Sequence, residues 1–486
     1  MSRRSTIALV SGLLALVAAF YVFIVSAGHL AAWPVWTTFY DAQAEGFRAG
    51  HLYLTLPRGA KHWDYSSYQG HWYLYWGLAP AFALAVVKTV GRIGTAVGDQ
   101  VLTFDFVAGR LVAGTLLVLA LARRRTPRPP PYAVALALAV FGLAAPTPFL
   151  LARGAIYEAA IAAGTCFLTF GLWAALRGVF AAPDAPSAPW LAGASVAFGL
   201  AAASRISLYP AVAAIVAITI VARARLDGGA PRAWLRAAAF TGTPFGLVTA
   251  AHLLVNKLRF GAWTEFGAAY QLGIKLKTGG RFLVPNLFLY LFQPADLTCR
   301  FPFVLAKWDR SRPFAPAWLP WPADYRTTEP MMGVLTASPF VVVGIVSLGI
   351  ALWRARRGQD GSPAADPAAA AERLRWRWVY AALAAGVVVG GAPVLFMFST
   401  SLRYEADFLT AALPLAILGG WRLLAAPTGR RGRAAAATVY VTLAAATIAT
   451  GMLLGFTGYF NQFEHNNPAL MKGLQAHLSL CGEERR

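Results

Sequence analysis

The stretch Phe39–Leu54, FYDAQAEGFRAGHLYL, sets two carboxylates and a guanidinium at helical spacing. Asp41, Glu45 and Arg48 stand at i, i+4 and i+7, so a helix here carries all three on one face. Carboxylates so placed can take a proton from a hydroxyl or orient one, and a guanidinium can hold an anion or balance the acids. An interfacial helix with a solvated polar face has the same pattern. Similar residues border apolar runs elsewhere: Glu158 in RGAIYEAAIA, Arg205 in AAASRISLYP, and Arg403, Tyr404, Glu405 and Asp407 in SLRYEADFLTAALPL. Asn256, Arg259 and Glu265 lie in NKLRFGAWTEFGAAYQLG. Ionisable groups at membrane depth are costly and are functional candidates by default. Arginine in particular offers a planar fork of donors that suits phosphate oxygens.

The elements that must position these residues are membrane helices. The chain has 486 residues, of which 58% are hydrophobic and 13% charged, too apolar for a soluble globular protein of this size. Its apolar runs are about 20 residues long, the length that crosses a hydrocarbon core as a helix. They are continuous and rich in Ala and Leu, which excludes the alternating strands of a barrel. Eleven spans are predicted, at about 6–26, 105–122, 132–152, 156–176, 190–204, 207–222, 234–255, 331–353, 378–398, 406–425 and 434–457. The first is read as an uncleaved span rather than a signal peptide. The net charge of +22 comes largely from arginines beside spans; these read as topology signals and phospholipid contacts, with no nucleic-acid partner. Cys166, Cys299 and Cys481 show no metal or redox spacing.

Charge sets the topology. If 72–90 does not span, the arginine-rich connections at 122–131, 177, 222–236, 354–377 and 422–433 all fall on one side, as the positive-inside rule requires. The expectation is therefore an N-terminus in the cytoplasm, a C-terminus outside, and 72–90 as a juxtamembrane helix on the outer face. One transmembrane domain covers 1–486, with a first outer loop at 28–104 and a long outer loop at 256–330. Asp41, Glu45, Asp64, Glu158, Arg205, Asn256, Arg259, Glu265, Arg403, Glu405 and Asp407 then gather on the outside. Both signs of charge on one side suit an anionic lipid-linked substrate and a general base.

With an acidic residue in the first outer loop, Asp41, juxtamembrane helices before the second span, Glu158 opening span four and Arg205 between spans five and six, the sequence resembles the GT-C superfamily of polytopic glycosyltransferases. These take sugars from polyprenyl-phosphate donors; the aminoarabinose transferase of lipid A and the protein O-mannosyltransferases belong to them. HWYLYWGLAPAFAL, NKLRFGAWTEFGAAYQLG and SLRYEADFLTAALPL resemble a bacterial branch of such proteins. The chain departs from the protein mannosyltransferases in lacking an adjacent Asp-Glu pair after span one, and it has no Asp-x-Asp.

The resemblance implies an all-α, GT-C-like membrane enzyme that transfers a hexosyl or pentosyl unit by single displacement with inversion. Asp41 would be the base, with Glu158 and Glu45 positioning acceptor or donor. Arg205 and Arg403 would hold the donor phosphate. Asp64, Tyr75, Asn256, Arg259, Glu265, Tyr404 and Asp407 would contact acceptor or sugar. The implied partners are a polyprenyl-phosphate-linked sugar, a lipid, glycan or protein acceptor, and membrane lipids, at the outer face of a bacterial inner membrane. No cofactor is called for, and a divalent cation stays open; His51, His62 and His71 read as aromatic packing rather than zinc ligands. The alternative is a transporter or flippase of lipid-linked saccharides, against which the ionisable residues lie at span ends rather than at the bilayer midplane.

Overall fold

Apolar composition and the absence of water in a bilayer leave each span one solution, the internally hydrogen-bonded helix. The computed structural model describes residues 3–56, 62–181, 186–273, 275–306, 316, 318–326, 329–356, 366–427 and 429–481. Helix α1 (Arg3–Val25) leads into α2 (Phe39–Arg48) and a hairpin of β1 (Tyr65–Tyr68) and β2 (His71–Leu74). Then come α3 (Ala79–Val90), α4 (Asp99–Arg124), α5 (Pro131–Leu143), α6 (Thr147–Leu151), α7 (Ile156–Val179), α8 (Ala188–Ser204) and α9 (Tyr209–Leu226). After α10 (Pro231–Ala237) and a π turn, α11 (Thr243–Phe260) completes the same rod. The second half holds α12 (Leu283–Phe292), β3 (Asp296–Leu297), β4 (Val304–Leu305), α13 (Val334–Ala337), α14 (Val341–Arg356), α15 (Pro367–Leu395), α16 (Ala406–Ala425), α17 (Arg430–Thr457), α18 (Gln462–Asn466) and α19 (Pro468–Leu478). Proline opens α5, α10, α15 and α19, where its missing N–H costs nothing.

Nine helices among the described residues are long and apolar enough to cross a membrane. Helices α8, with 17 residues, and α14, with 16, are shorter and occupy the predicted fifth and eighth spans. The structure adds detail at two spans. The third is broken between α5 and α6 at Pro146, and the eighth between α13 and α14 at Pro339, each a residue that cannot donate to a continuing helix. The stretch 72–90 begins as strand β2 and ends as the 12-residue α3. At 1.5 Å per residue α3 covers about 18 Å, well short of the roughly 30 Å core. Helices α7 and α16 run through the centre, with Ala159, Ala160, Ala162, Ala163, Ala411 and Ala416 buried and admitting close neighbours.

The bundle has two unlike ends. One carries the short arginine-rich connections. The other, the loop end, carries α2, the hairpin, α3, α12 and both β pairs, closed by α18 and α19. A disulfide between Cys299 and Cys481, 182 residues apart in sequence, ties the long loop to the segment after α19.

Candidate active site

A cavity of about 750 Å³ opens at the loop end, where α7, α8 and α9 meet the hairpin and the two loops. Five of the residues singled out in the sequence line it: Asp64, Tyr75, Arg205, Glu265 and Tyr404. Glu329, which the sequence reading passed over, lines it too.

Asp64 stands one residue before β1, and its position follows from what fixes the hairpin. Ser66 Oγ donates to the Gly267 carbonyl at 2.7 Å, and the Leu272 N–H donates to the Tyr65 carbonyl at 3.0 Å. Arg259, at the end of α11, donates to the Leu74 carbonyl and stacks over Tyr73 and Phe260. The chain just after β2 closes on α8 so tightly that a Cβ at Gly77 would collide with the Ala203 carbonyl. Asp64 Oδ1 accepts a hydrogen bond from the Tyr157 hydroxyl at 2.9 Å. Tyr157 has one proton, so the 2.6 Å contact between the Tyr75 and Tyr157 hydroxyls has Tyr75 as donor. Burial, reinforced by the Asp64 charge, pushes the Tyr75 phenol well above its ordinary value and keeps it a donor. His62 Nδ1 lies 3.6 Å from the second Asp64 oxygen. Asp64 thus faces a cavity with hydroxyl and imidazole neighbours, and no Arg or Lys among the described residues pairs with it.

Across the cavity, Arg205 caps the end of α8. Its Nε donates to Asp407 Oδ1 at 2.5 Å, and Ser207 Oγ donates to the other Asp407 oxygen at 2.7 Å. The Tyr404 ring lies 4.9 Å from the guanidinium. Asp407 is fully buried, so its part is to hold Arg205 at the wall. Glu265 also lines the cavity; it accepts from the Gly267 N–H at 2.6 Å, where Gly267 has a φ of 98° that favours glycine.

The structure corrects the placement of Arg403 and Glu158. Arg403 is buried behind the wall, donating to Glu158 Oε1 at 2.9 Å and to Glu329 Oε1 at 2.8 Å, with the Tyr157 and Tyr459 rings 4.2 and 4.6 Å away. Arg153 sits 3.9 Å from Glu158. A buried carboxylate without a counter-charge is strongly unfavourable, and Glu158 meets that need inside the protein rather than at the cavity. Glu329 bridges the two settings: one face lines the cavity and the other engages Arg403.

Asp41 and Glu45 are likewise not brought to the cavity. The buried Lys88 of α3 reaches Asp41 at 2.5 Å and Glu45 at 2.6 Å, and Asp41 also accepts from the Val97 N–H at 3.1 Å. Glu45 pairs further with Arg48 at 2.8 Å. Hydrogen bonding to Lys88 holds the Glu45 carboxyl below its ordinary value. Burial works against the Lys88 charge, but the two carboxylates outweigh it and hold the amine above its ordinary value. The start of α2 is satisfied separately by Asp99, which accepts from the Phe39 and Tyr40 N–H groups at 3.1 Å each. This cluster clamps α2 to α3 and α4. Asn256 is buried in α11, its amide 3.4 Å from the Trp263 carbonyl; with Arg259 it shapes the turn leading to Glu265 and does not line the cavity. His51 and His71 sandwich the Tyr53 ring at 3.8 and 4.1 Å.

No protein-family model and no curated protein sequence matches the chain. Among solved structures it is similar to the Archaeoglobus fulgidus oligosaccharyltransferase in its apo form, with 12% identity and a TM-score of 0.51 over 91% of this chain and 55% of that one. It is similar also to the oligosaccharyltransferase AglB from Archaeoglobus fulgidus in complex with an inhibitory peptide and a dolichol-phosphate, with 12% identity and a TM-score of 0.52 over 93% and 56% of the two chains. ArnT from Cupriavidus metallidurans bound to undecaprenyl phosphate aligns over 94% of this chain and 77% of its own, at 15% identity and a TM-score of 0.39. The chain spans a little over half the length of the archaeal proteins. At this identity the likeness is one of fold: the chain shares the membrane-helix fold of these archaeal oligosaccharyltransferases over about half of their length.

Proposed function

We propose that the protein is a membrane glycosyltransferase that moves a sugar from a polyprenyl-phosphate donor to an acceptor hydroxyl within the loop-end cavity. The observation that carries this reading is the composition of that cavity: on a GT-C-like fold, a carboxylate held by the Tyr157 hydroxyl, Asp64, shares one chamber with a guanidinium, Arg205. In the reaction the acceptor oxygen bonds to the anomeric carbon as the bond from that carbon to the phosphate oxygen breaks, its electron pair leaving with the phosphate. The acceptor proton passes to Asp64, a step that positioned bases accelerate by about 10²–10⁴-fold. Arg205 has donors left beyond the one given to Asp407, and these stabilise the growing charge on the departing phosphate. A single displacement inverts the anomeric centre. Asp64 thereby takes the role that the sequence pattern suggested for Asp41.

Orientation follows from two independent features. The arginine-rich connections lie at the opposite end from the cavity, which favours that end as cytoplasmic. The Cys299–Cys481 bond lies at the loop end, and disulfides persist in oxidising compartments. Both support a cavity on the extracytoplasmic side, and the membrane proposed is a bacterial inner membrane.

The test uses the full chain in phosphatidylcholine nanodiscs. Undecaprenyl phosphate should be retained through purification, with retention reduced by Arg205→Ala. A polyprenyl-phosphate sugar should release free polyprenyl phosphate when envelope extract is supplied as acceptor. No retention by the intact protein, together with no release, would sink the reading.

A further inference from the structure

Beside the main cavity lies a second one, of about 340 Å³, lined by Gly273, Lys275, Lys277, Asp324, Arg326 and Phe398. The two share Gly273 and Phe398 as walls. Three distant segments build it, and backbone hydrogen bonds stitch them together. The Phe398 N–H donates to the Lys277 carbonyl at 3.1 Å, and the Arg326 N–H donates to the Phe398 carbonyl at 2.9 Å. The Gly279 N–H donates to the Phe396 carbonyl at 2.9 Å. Lys277 and Arg326 are therefore both tied to Phe398 by the main chain, with their side chains exposed.

The charge here is unbalanced. Asp324 is the one carboxylate lining this cavity among the described residues, and it is already engaged by Arg281 at 2.7 Å and Lys277 at 3.5 Å. Those two cations hold its carboxyl below its ordinary value. Lys275 and Arg326 have no acidic partner among the described residues. It is not the pattern of the buried cations Lys88, Arg205 and Arg403, which each meet a carboxylate; Lys275, Lys277 and Arg326 are exposed. Nor is it a topology signal, because positive charge at this end opposes the bias set by the arginine-rich connections.

We infer that this second cavity seats an anionic group of the acceptor, a phosphate or a carboxylate, while the hydroxyl to be glycosylated reaches past Phe398 into the main cavity. The inference rests on the transferase reading and adds a substrate class to it. An arginine and two lysines converging on a pocket of this size suit a tetrahedral or planar oxyanion, with Arg326 supplying the fork and the lysines point charge. The shared wall gives the direction: Asp64 and Arg205 line only the main cavity, Lys277 and Arg326 only the second, and Phe398 lines both. An acceptor anchored by its anion thus presents a neutral hydroxyl to the base.

Amine-acetylation footprinting of the full chain in phosphatidylcholine nanodiscs tests this. Inorganic phosphate, compared with chloride at equal ionic strength, should slow modification of Lys275 and Lys277 severalfold and leave the exposed Lys472 of α19 unchanged. Arg326→Gln should remove the protection, and Arg205→Ala should leave it intact. Phosphatidylglycerol nanodiscs without added phosphate distinguish the source: protection there as well assigns a lipid-borne acceptor, and protection by the free ion alone assigns a water-soluble one. Protection that extends equally to Lys472, or that disappears with Arg205→Ala, overturns the inference; the first would be general screening and the second the donor site. Undecaprenyl phosphate retention is read on the same samples. Its failure with phosphate protection intact removes the transferase reading and leaves the anion site standing.

Discussion

The first loop contains two acidic clusters that differ in what surrounds them. Asp41 and Glu45 share the ammonium of Lys88, with Arg48 outside. Asp64, about twenty residues on, has Tyr157 and His62 and faces a chamber. A carboxylate whose charge is already matched by a buried cation is a poor proton acceptor and a good clamp. One that faces a chamber with a phenol hydroxyl and an imidazole beside it, and no Arg or Lys among the described residues, is open to a substrate proton. The difference separates structural acids from chemical ones better than proximity in sequence does.

The sharpest test of the contrast is Asp64→Asn against Asp41→Asn. Asp64→Asn should slow sugar transfer by about 10²–10⁴-fold while polyprenyl phosphate retention persists. Asp41→Asn should leave transfer per folded molecule near normal and lower the melting temperature. The reverse pattern would return the base role to Asp41.

Next in size is Lys88→Met. Removing one partner of a buried pair costs about 3–5 kcal/mol, because a charge is left unmatched. Thermal melts in nanodiscs should show this loss, and the double variant Lys88→Met with Asp41→Asn should recover much of it. A single variant as stable as the parent would show that the clamp is not structural.

Arg205→Ala should weaken donor retention by about 1.5–3 kcal/mol, the usual scale for a charge-assisted hydrogen bond. Arg205→Lys should restore part of it, keeping the charge while losing the fork. Equal retention in all three proteins would remove Arg205 from the phosphate.

Tyr157→Phe should cost less, about 0.5–1.5 kcal/mol in transfer, since Asp64 loses one hydrogen bond and keeps its place. Its diagnostic is the split between kcat and KM. The loss should fall on kcat with KM near normal, because the donor orients the carboxylate rather than holding substrate; an unchanged kcat would show that Tyr157 does not position Asp64.

The smallest effect belongs to pH. Glu45 is held below its ordinary value of 4.5, so its contribution to stability is complete above that value and is lost as pH falls through the lower folded-state pKa. Lys88 is held above 10.5, so its contribution is complete below that value and is lost as pH rises through the higher one. Stability from this cluster should be flat between these limits and fall outside them, and the Lys88→Met variant should lose that shape.

The spans were legible because a long apolar run has one outcome in a bilayer. The arginine bias likewise set 72–90 apart from the predicted spans, and the structure gives there a strand and a 12-residue helix. Asp64, Tyr75, Arg205, Glu265 and Tyr404 were legible as polar groups at the loop end. Pairing was not. Lys88 reads in sequence as the basic end of an apolar helix, and nothing local says that it turns inward to Asp41. The contact between Arg403 and Glu158 joins residues 245 positions apart, and Glu329 sits in a polar loop where one more glutamate forms no pattern. Such contacts depend on which helices meet, which periodicity does not encode.

The bond between Cys299 and Cys481 has a consequence for the chain as a mechanical object. It converts everything from the long loop to the tail, the last four crossings included, into a closed covalent ring. A protease that nicks any connection inside that ring cuts the polymer without releasing a piece. The fragments would migrate as one species on a gel until a reductant is added, so damage to the arginine end could accumulate while the loop end keeps its chamber assembled.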